Sequence, residues 1–216
     1  MAHGIAQQQI QAPVRRVRRD DDVAPDPLGR DEVTPLIDAA IHAPNHKLTF
    51  PWRFVALAGS ARDEVGDAHA RAVARAKPDH PPAGLEKEAA LLRRAPVVIA
   101  CIVAHNPDPL RALEDRDAVA AGVQNMLLAA HARGLAAIWR TGVMTGEPEV
   151  AAALGLGDGD ALVGLVYVGR PRPGEVTAAP GRPSVDELTV WRGWEDAGTV
   201  AAGRTRGLRP DRTGEA

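Results

Sequence analysis

In "RDEVTPLIDAAIHAP" the apolar residues fall at Val33, Leu36, Ile37, Ala40 and Ile41. That is the three-and-four spacing of a helix with one buried stripe, and Pro44 marks where the helix must stop. His42 is thereby placed near a helix C-terminus. The period then changes. "WRFVALA" reads as a short strand, "SARDEVGDAHARAVARA" as a helix opened by Ser60 as its N-cap, "KPDHPPAG" as a loop and "LEKEAALLRRA" as the next helix.

"PVVIACIVA" is a continuous apolar run rich in β-branched residues, bounded by Pro96 and "HNPDP". A strand buried on both faces and central in its sheet is expected there. The longest helical pattern runs from Leu110 to Arg133 and is closed by Gly134. Its middle, "AVAAGVQNMLLAAHA", is apolar nearly all round, so deep burial is expected, within the fold or against a second subunit. "LAAIWRTG" predicts a strand leading into a turn, "EPEVAAALGL" a short helix with Pro148 in its first turn, and "ALVGLVYVGRP" a last core strand. Beyond it, "RPGEVTAAPGRPSVDELTVWRGW" leaves the compact pattern as an extended arm. The chain has too few tight βα units for a doubly wound nucleotide fold, and neither G-x-G-x-x-G nor G-x-x-x-x-G-K-[ST] occurs in it. The expected class is α+β, with helices covering a mixed, mainly antiparallel sheet.

The length of 216 residues, 45% of them apolar, is enough for one domain with a substantial core. That domain should run over residues 14–195, between polar tails at 1–13 and 196–216 that are expected to be disordered. A net charge of −2 gives no global attraction to nucleic acid or membranes, so any basic site must be local. The single cysteine, Cys101, lies in an apolar run and reads as a buried, inert thiol. No apolar segment approaches the roughly 20 residues that span a bilayer, and the N-terminus has no apolar leader core. A soluble, cytoplasmic protein is expected.

Most familiar catalytic constellations are missing. There is no H-E-x-x-H, no paired-cysteine motif and no G-x-S-x-G, and His42 and His46 straddle Pro44, so no metal ligand set is expected. The carboxylates of "RALEDRD" read as solvated helix surface. Basic residues instead gather at chain breaks: "VRRVRR" ahead of the first helix, "HAPNHK" after it, "WRTG" at a strand end and "PGRP" in the C-terminal arm. Guanidinium groups and turn N–H groups suit an anionic cofactor, and several such loops could converge on one phosphate. Ordinary surface arginines would look the same in so arginine-rich a chain.

Two segments carry a resemblance. "APNHKLTFPWRF" resembles the A-P-[DN]-H-K-x-x-x-P-W-R-F segment of small bacterial nitroreductase-family flavoproteins, and "GLAAIWRTGVMTGEPEVAAALGL" resembles their G-x-x-x-I-W-R-[ST]-G segment and the short helix after it. "LVGLVYVGRP" is similar to the family's closing strand, and the likeness covers roughly Arg15 to Pro183. It implies an intertwined homodimer with FMN at the subunit interface, no membrane or nucleic-acid partner, and hydride transfer from NADH or NADPH to a small-molecule acceptor such as a nitroaromatic or quinone. The transfer would be ping-pong, with the chemistry at flavin N5 and no catalytic acid or base required. A family member dedicated to flavin fragmentation, dehalogenation or dehydrogenation is the alternative, and a non-catalytic protein binding through "VRRVRR" a more distant one.

By this resemblance His42, His46 and Lys47 would contact FMN, the histidines from the neighbouring subunit, and Trp139, Arg140 and Thr141 would form a second flavin-binding turn with Arg140 on the phosphate. The long helix would be the dimer core. The family's initial R-R-S reads here "VRRVRRDDDVAP", without serine and with the extra "DPLG" before the first helix, so the matching arginine is Arg15, Arg16 or Arg18. Phe50 stands where Gln or Arg is common, either as packing or as lining for the substrate face.

Overall fold

Along each strand alternate side chains enter two different cores, and this divides the protein into three layers. The computed structural model describes residues 23–172 and 182–192. Its strands are β1 Trp52–Ala58, β2 Val97–Val103, β3 Ala136–Arg140 and β4 Ala161–Gly169, all antiparallel in the order β1-β2-β4-β3. On one face Val97, Ile99, Cys101 and Val103 pack with Val166, Val168, Ala137 and Trp52 beneath two helices, α1 Arg30–Ile41 and α4 Pro109–Ala132. On the other, Val98, Ala100 and Ile102 pack with Leu165, Tyr167 and Ala136. That face is covered by α2 Ala61–Ala76, α3 Pro82–Ala89 and α5 Pro148–Ala153. Every residue of β2 is buried, as its unbroken apolar run requires. Between Cys101 and Ile102 the β2–β4 register shifts by one residue, the signature of a bulge.

The helix pair α1/α4 sets the position of the first polar segment. Helix α4 starts on Asp108, whose carboxylate accepts the Leu110 N–H at 2.9 Å. It ends before Gly134, whose φ of +73° is the left-handed conformation that closes a helix. Gly122 lets the helices touch: a Cβ there would stand 2.8 Å from the Ala40 carbonyl oxygen and 3.2 Å from Trp52 Nε1. Trp52 Nε1 donates to the Ala118 carbonyl at 3.1 Å, and Asn125 Nδ2 to the Ala39 carbonyl at 3.2 Å. The second bond satisfies one of the four carbonyls that a helix C-terminus leaves open.

Three expectations need correction. Ser60 precedes α2 as predicted, but it has helical backbone angles and its side chain makes no capping bond, so α2 begins without that contribution. The stretch 77–84 is not all loop, because Pro81 and Pro82 carry φ values ready for a helix start and α3 begins at Pro82. That helix gives way at Ala90–Arg94 to a tighter 3₁₀ turn. Of the two alternatives for α4, burial wholly within the fold does not hold: within this chain one face is buried, Ala120, Ala121, Leu127 and Leu128 are half-buried, and Leu110 and Leu113 are more than 60% exposed.

Residues 182–192 belong to a second unit, and within the stretch expected as an extended arm they carry a short helix, α6 Val185–Leu188. Its N-terminus is a capping box: Ser184 Oγ accepts the Glu187 N–H, and the Glu187 carboxylate accepts the Ser184 N–H. The same bond holds the Glu187 carboxyl below its ordinary pKa. Both predicted tails lie outside the described residues.

Cys101 is fully buried, and the loss of water around its thiolate pushes the thiol pKa up to about 12. A colorimetric thiol reagent should therefore leave the native protein unmodified at pH 8 and label one thiol per chain after denaturation. Rapid labelling of the native protein would show that β2 is not the buried strand described.

Candidate functional site

The first polar segment leaves α1 at His42, whose Nδ1 lies 2.8 Å from the Asp38 carbonyl oxygen and whose ring is exposed. After Pro44 the chain makes a short turn, His46–Leu48, and between His46 and Pro51 three side-chain-bearing residues have left-handed backbone: Lys47 at φ +63°, Leu48 at +52° and Phe50 at +49°. Each such residue costs on the order of 1–2 kcal/mol, so the loop holds only if its surroundings fix it. The surroundings do so through Asn45, Thr49 and Asp115. Asn45 Oδ1 accepts the Phe50 N–H at 2.9 Å, and its Nδ2 donates to Thr49 Oγ1 at 2.9 Å. The single hydroxyl proton of Thr49 goes to the Asp115 carboxylate, whose other oxygen accepts from Asn106 Nδ2 at 2.8 Å.

Asp115 is only 2% exposed. The expectation that "RALEDRD" is solvated surface is therefore wrong for this residue. Asp115 stands three, four and seven residues before Ala118, Val119 and Gly122 on the buried stripe of α4, and that spacing is the signal that could have revealed it. Its neighbour Glu114 holds the other end of the loop: His46 Nδ1 is 2.9 Å from Glu114 Oε2, and the Arg111 guanidinium is 3.1 Å from the same oxygen and 3.3 Å from the histidine. His42 and His46 thus point to different anchors. Lys47 is exposed, as are Leu48 and Phe50 at 68% and 60%. The Phe50 ring lies tilted against Trp52 at 6.4 Å.

The second segment ends β3. Strand alternation sends Trp139 and Arg140 to opposite faces of the sheet, because Trp139 pairs with Val166 and Arg140 with Leu165. The Trp139 indole lies over Gly164, where a Cβ would stand 2.0 Å from Nε1. That nitrogen is buried with no hydrogen-bond partner among the described residues. Arg140 turns the other way and sets its guanidinium 5.7 Å from the centroid of the Tyr167 ring. Burial pushes the Tyr167 phenol up, against the opposing pull of the Arg140 and Arg94 charges. Gly142 then takes φ +121°, a conformation open to glycine, and the Thr145 hydroxyl donates to its carbonyl at 2.7 Å. A cavity of about 170 Å³ lies under this turn, lined among others by Arg140, Thr141, Arg94, His69 and Tyr167.

Strand order fixes the relation between the two segments. Residues 42–50 lead into β1 and residues 139–141 end β3, which are the two outermost strands. Three strand spacings of ~4.8 Å put the edges about 14 Å apart, and the partners of the two segments recorded above are not shared. Both lie at the same end of the sheet, since β1 begins opposite Val103, where β2 ends, and Val103 pairs with Ala161, where β4 begins. Arg15, Arg16 and Arg18 lie outside the described residues. Among the described residues no cluster of three or more His, Cys, Asp or Glu side chains could hold a metal ion, and no helix is long and apolar enough to cross a membrane.

The Nitroreductase family model matches residues 18–170, and the chain belongs to that family. The protein named "Putative NAD(P)H nitroreductase YdjA" of Escherichia coli (strain K12) is 28% identical over 149 residues, 68% of this chain and 80% of that one. The fold is that of a nitroreductase-like family protein from Bacillus cereus, with a TM-score of 0.72 at 23% identity, over 87% of this chain and 96% of that one. A nitroreductase with bound FMN from Bacteroides fragilis superposes with a TM-score of 0.64 at 20% identity, over 86% of this chain and 98% of that one.

Replacing Asp115 by alanine leaves the Thr49 hydroxyl and the Asn106 amide without their acceptor. Urea denaturation should show a loss of about 1–3 kcal/mol, with the change abolished when Thr49 and Asn106 have already been replaced by valine and alanine. An Asp115→Ala protein as stable as the parent would show that this network does not hold the loop.

Proposed function

We propose that this protein is an FMN-dependent NAD(P)H oxidoreductase of the nitroreductase type, working as a homodimer with one flavin at each of two interface sites. The observation that carries the reading is the splitting of the two family-like segments between opposite edges of one sheet. A cofactor that needs both takes residues 139–141 from one subunit and His42, His46 and Lys47 from the other. The apolar outer half of α4, with Leu110 and Leu113 more than 60% exposed, supplies the surface on which the subunits would meet.

The residues present fit FMN. The buried Nε1 of Trp139 is an open donor beside the turn, of the kind that a flavin carbonyl or ring nitrogen accepts. Arg140 offers a charged fork for the phosphate, and Thr141 and Gly142 give exposed backbone next to it. His46, held by Glu114, brings a second polar group from across the interface. Leu48 and Phe50, kept outward by the strained loop, would help exclude water from an apolar slot. Arg15, Arg16 or Arg18 would add a further phosphate contact.

Bound FMN supplies the chemistry, taking hydride from NAD(P)H at N5 and passing it to a nitroaromatic, quinone or similar electrophile. The protein's own task is to hold donor and acceptor in turn against one flavin face, in a ping-pong sequence that needs no ionising side chain. A slot shaped for stacking accepts many planar acceptors. Cytoplasmic residence, where reduced nicotinamide is supplied, accords with the single buried thiol.

Purified protein should run as a dimer in light scattering and carry close to one flavin per chain. Arg140→Ala should lower the flavin content at least tenfold while shifting the melting temperature of the flavin-free protein by no more than a few degrees. Unchanged flavin content in that variant would remove Arg140 from the phosphate site.

A further inference from the structure

The chain has two phenylalanines, and the structure treats them differently. Phe54 packs against the core on the α1/α4 face, whereas Phe50 stays 60% exposed. Within the chain, then, Phe50 is not a packing residue. Its backbone stands at φ +49°, where a bulky side chain is an outlier. Three contacts nevertheless fix it there. The Phe50 N–H donates to Asn45 Oδ1 at 2.9 Å, the Phe50 carbonyl accepts from Arg53 Nη1 at 3.1 Å, and the ring leans on Trp52 at 6.4 Å with a tilt of 48°. Trp52 is itself held by the bond from its Nε1 to the Ala118 carbonyl. Strain that its surroundings over-determine points to a functional constraint, and what is held here is an aromatic ring turned to solvent. Glycine would take the same backbone without strain, and a polar side chain would expose no apolar ring.

We propose that Phe50 is a specificity-determining residue, which selects planar, electron-poor aromatic acceptors by stacking on their ring. The inference rests on the flavin reading for the presence of an acceptor at this loop, and it goes beyond that reading by assigning the choice of acceptor to one side chain. Phe50 lies three residues after Lys47, on the loop that the flavin reading brings to the cofactor. The face of a phenyl ring is electron-rich, so a nitro-substituted ring stacks on it with a gain beyond the area buried. A saturated ring of the same size gains from area alone. Leu48, on the same loop and 68% exposed, offers apolar area without a π face and serves both kinds of guest alike. Asn45, Arg53 and Trp52 act on the acceptor only through Phe50, by keeping its ring in one place before the acceptor arrives.

The test titrates 4-nitrobenzoate and cyclohexanecarboxylate into the oxidised, flavin-loaded, full-length protein and reads binding from the change in flavin absorption. Both ligands carry a carboxylate on a ring of the same size, and without an electron donor neither is turned over. The parent should prefer 4-nitrobenzoate. Phe50→Leu should reduce that preference by about two- to tenfold, the range of an aromatic pair, and Phe50→Tyr should restore it. Phe50→Gly should lose the preference too, yet melt within a few degrees of the parent, because φ +49° suits glycine and the ring it removes is exposed. In steady-state turnover the Phe50→Leu protein should show the loss in KM for 4-nitrobenzoate rather than in kcat. No binding of 4-nitrobenzoate to the parent, or an unchanged preference in Phe50→Leu and Phe50→Gly, overturns the proposal. So does a Phe50→Gly protein that melts far below the parent or separates into monomers in light scattering, since the ring would then be packing. A protein without flavin defeats the flavin reading and this inference with it, whereas a flavin-loaded protein whose preference ignores Phe50 defeats this inference alone.

Discussion

The width of the sheet governs the functional geometry. With β1 and β3 at its two edges and two strands between them, the segments that carry the family likeness are held about 14 Å apart. Hydrogen-bonded ladders make that spacing rigid, so no side-chain rearrangement brings the segments together. A site that uses both is the reason a second chain is proposed. The outer half of α4 is apolar and only half-buried within the chain, and the same helix's first turns anchor the loop that precedes β1.

That anchoring has a clear energetic logic. Three non-glycine residues in the left-handed region store strain that an unsupported loop would release. The hydrogen bonds through Asn45, Thr49 and Asp115 over-determine the backbone, and the burial of Asp115 raises the cost of breaking them. The result keeps Leu48 and Phe50 exposed and His46 fixed against Glu114, so the loop is shaped before any ligand arrives. Pre-shaping of this kind lowers the ordering cost of binding.

Much of this was legible in the sequence, and the gaps have physical causes. The strands and long helices follow from hydrophobic period alone, down to the fully buried β2 and the helix that ends before Gly134. The start of α3 was missed because its two prolines read as loop, although proline favours a first helical turn. Trp139, Arg140 and Thr141 were singled out through a motif, but only the register of β3 on β4 shows that Trp139 and Arg140 face opposite ways. Asp115 and His69 were not singled out, since their partners Thr49 and Glu88 are far away in sequence. Long-range side-chain contacts of this sort leave no local period to read.

The central claim is that the chain carries a flavin that reduced nicotinamide can reach. It is tested most directly by the absorption spectrum of the purified protein, recorded anaerobically before and after NADH and then NADPH. The account predicts protein-bound bands of oxidised flavin that bleach with at least one of the two nucleotides. A colourless protein that takes up no FMN on reconstitution, or a bound flavin that neither nucleotide bleaches, would contradict it.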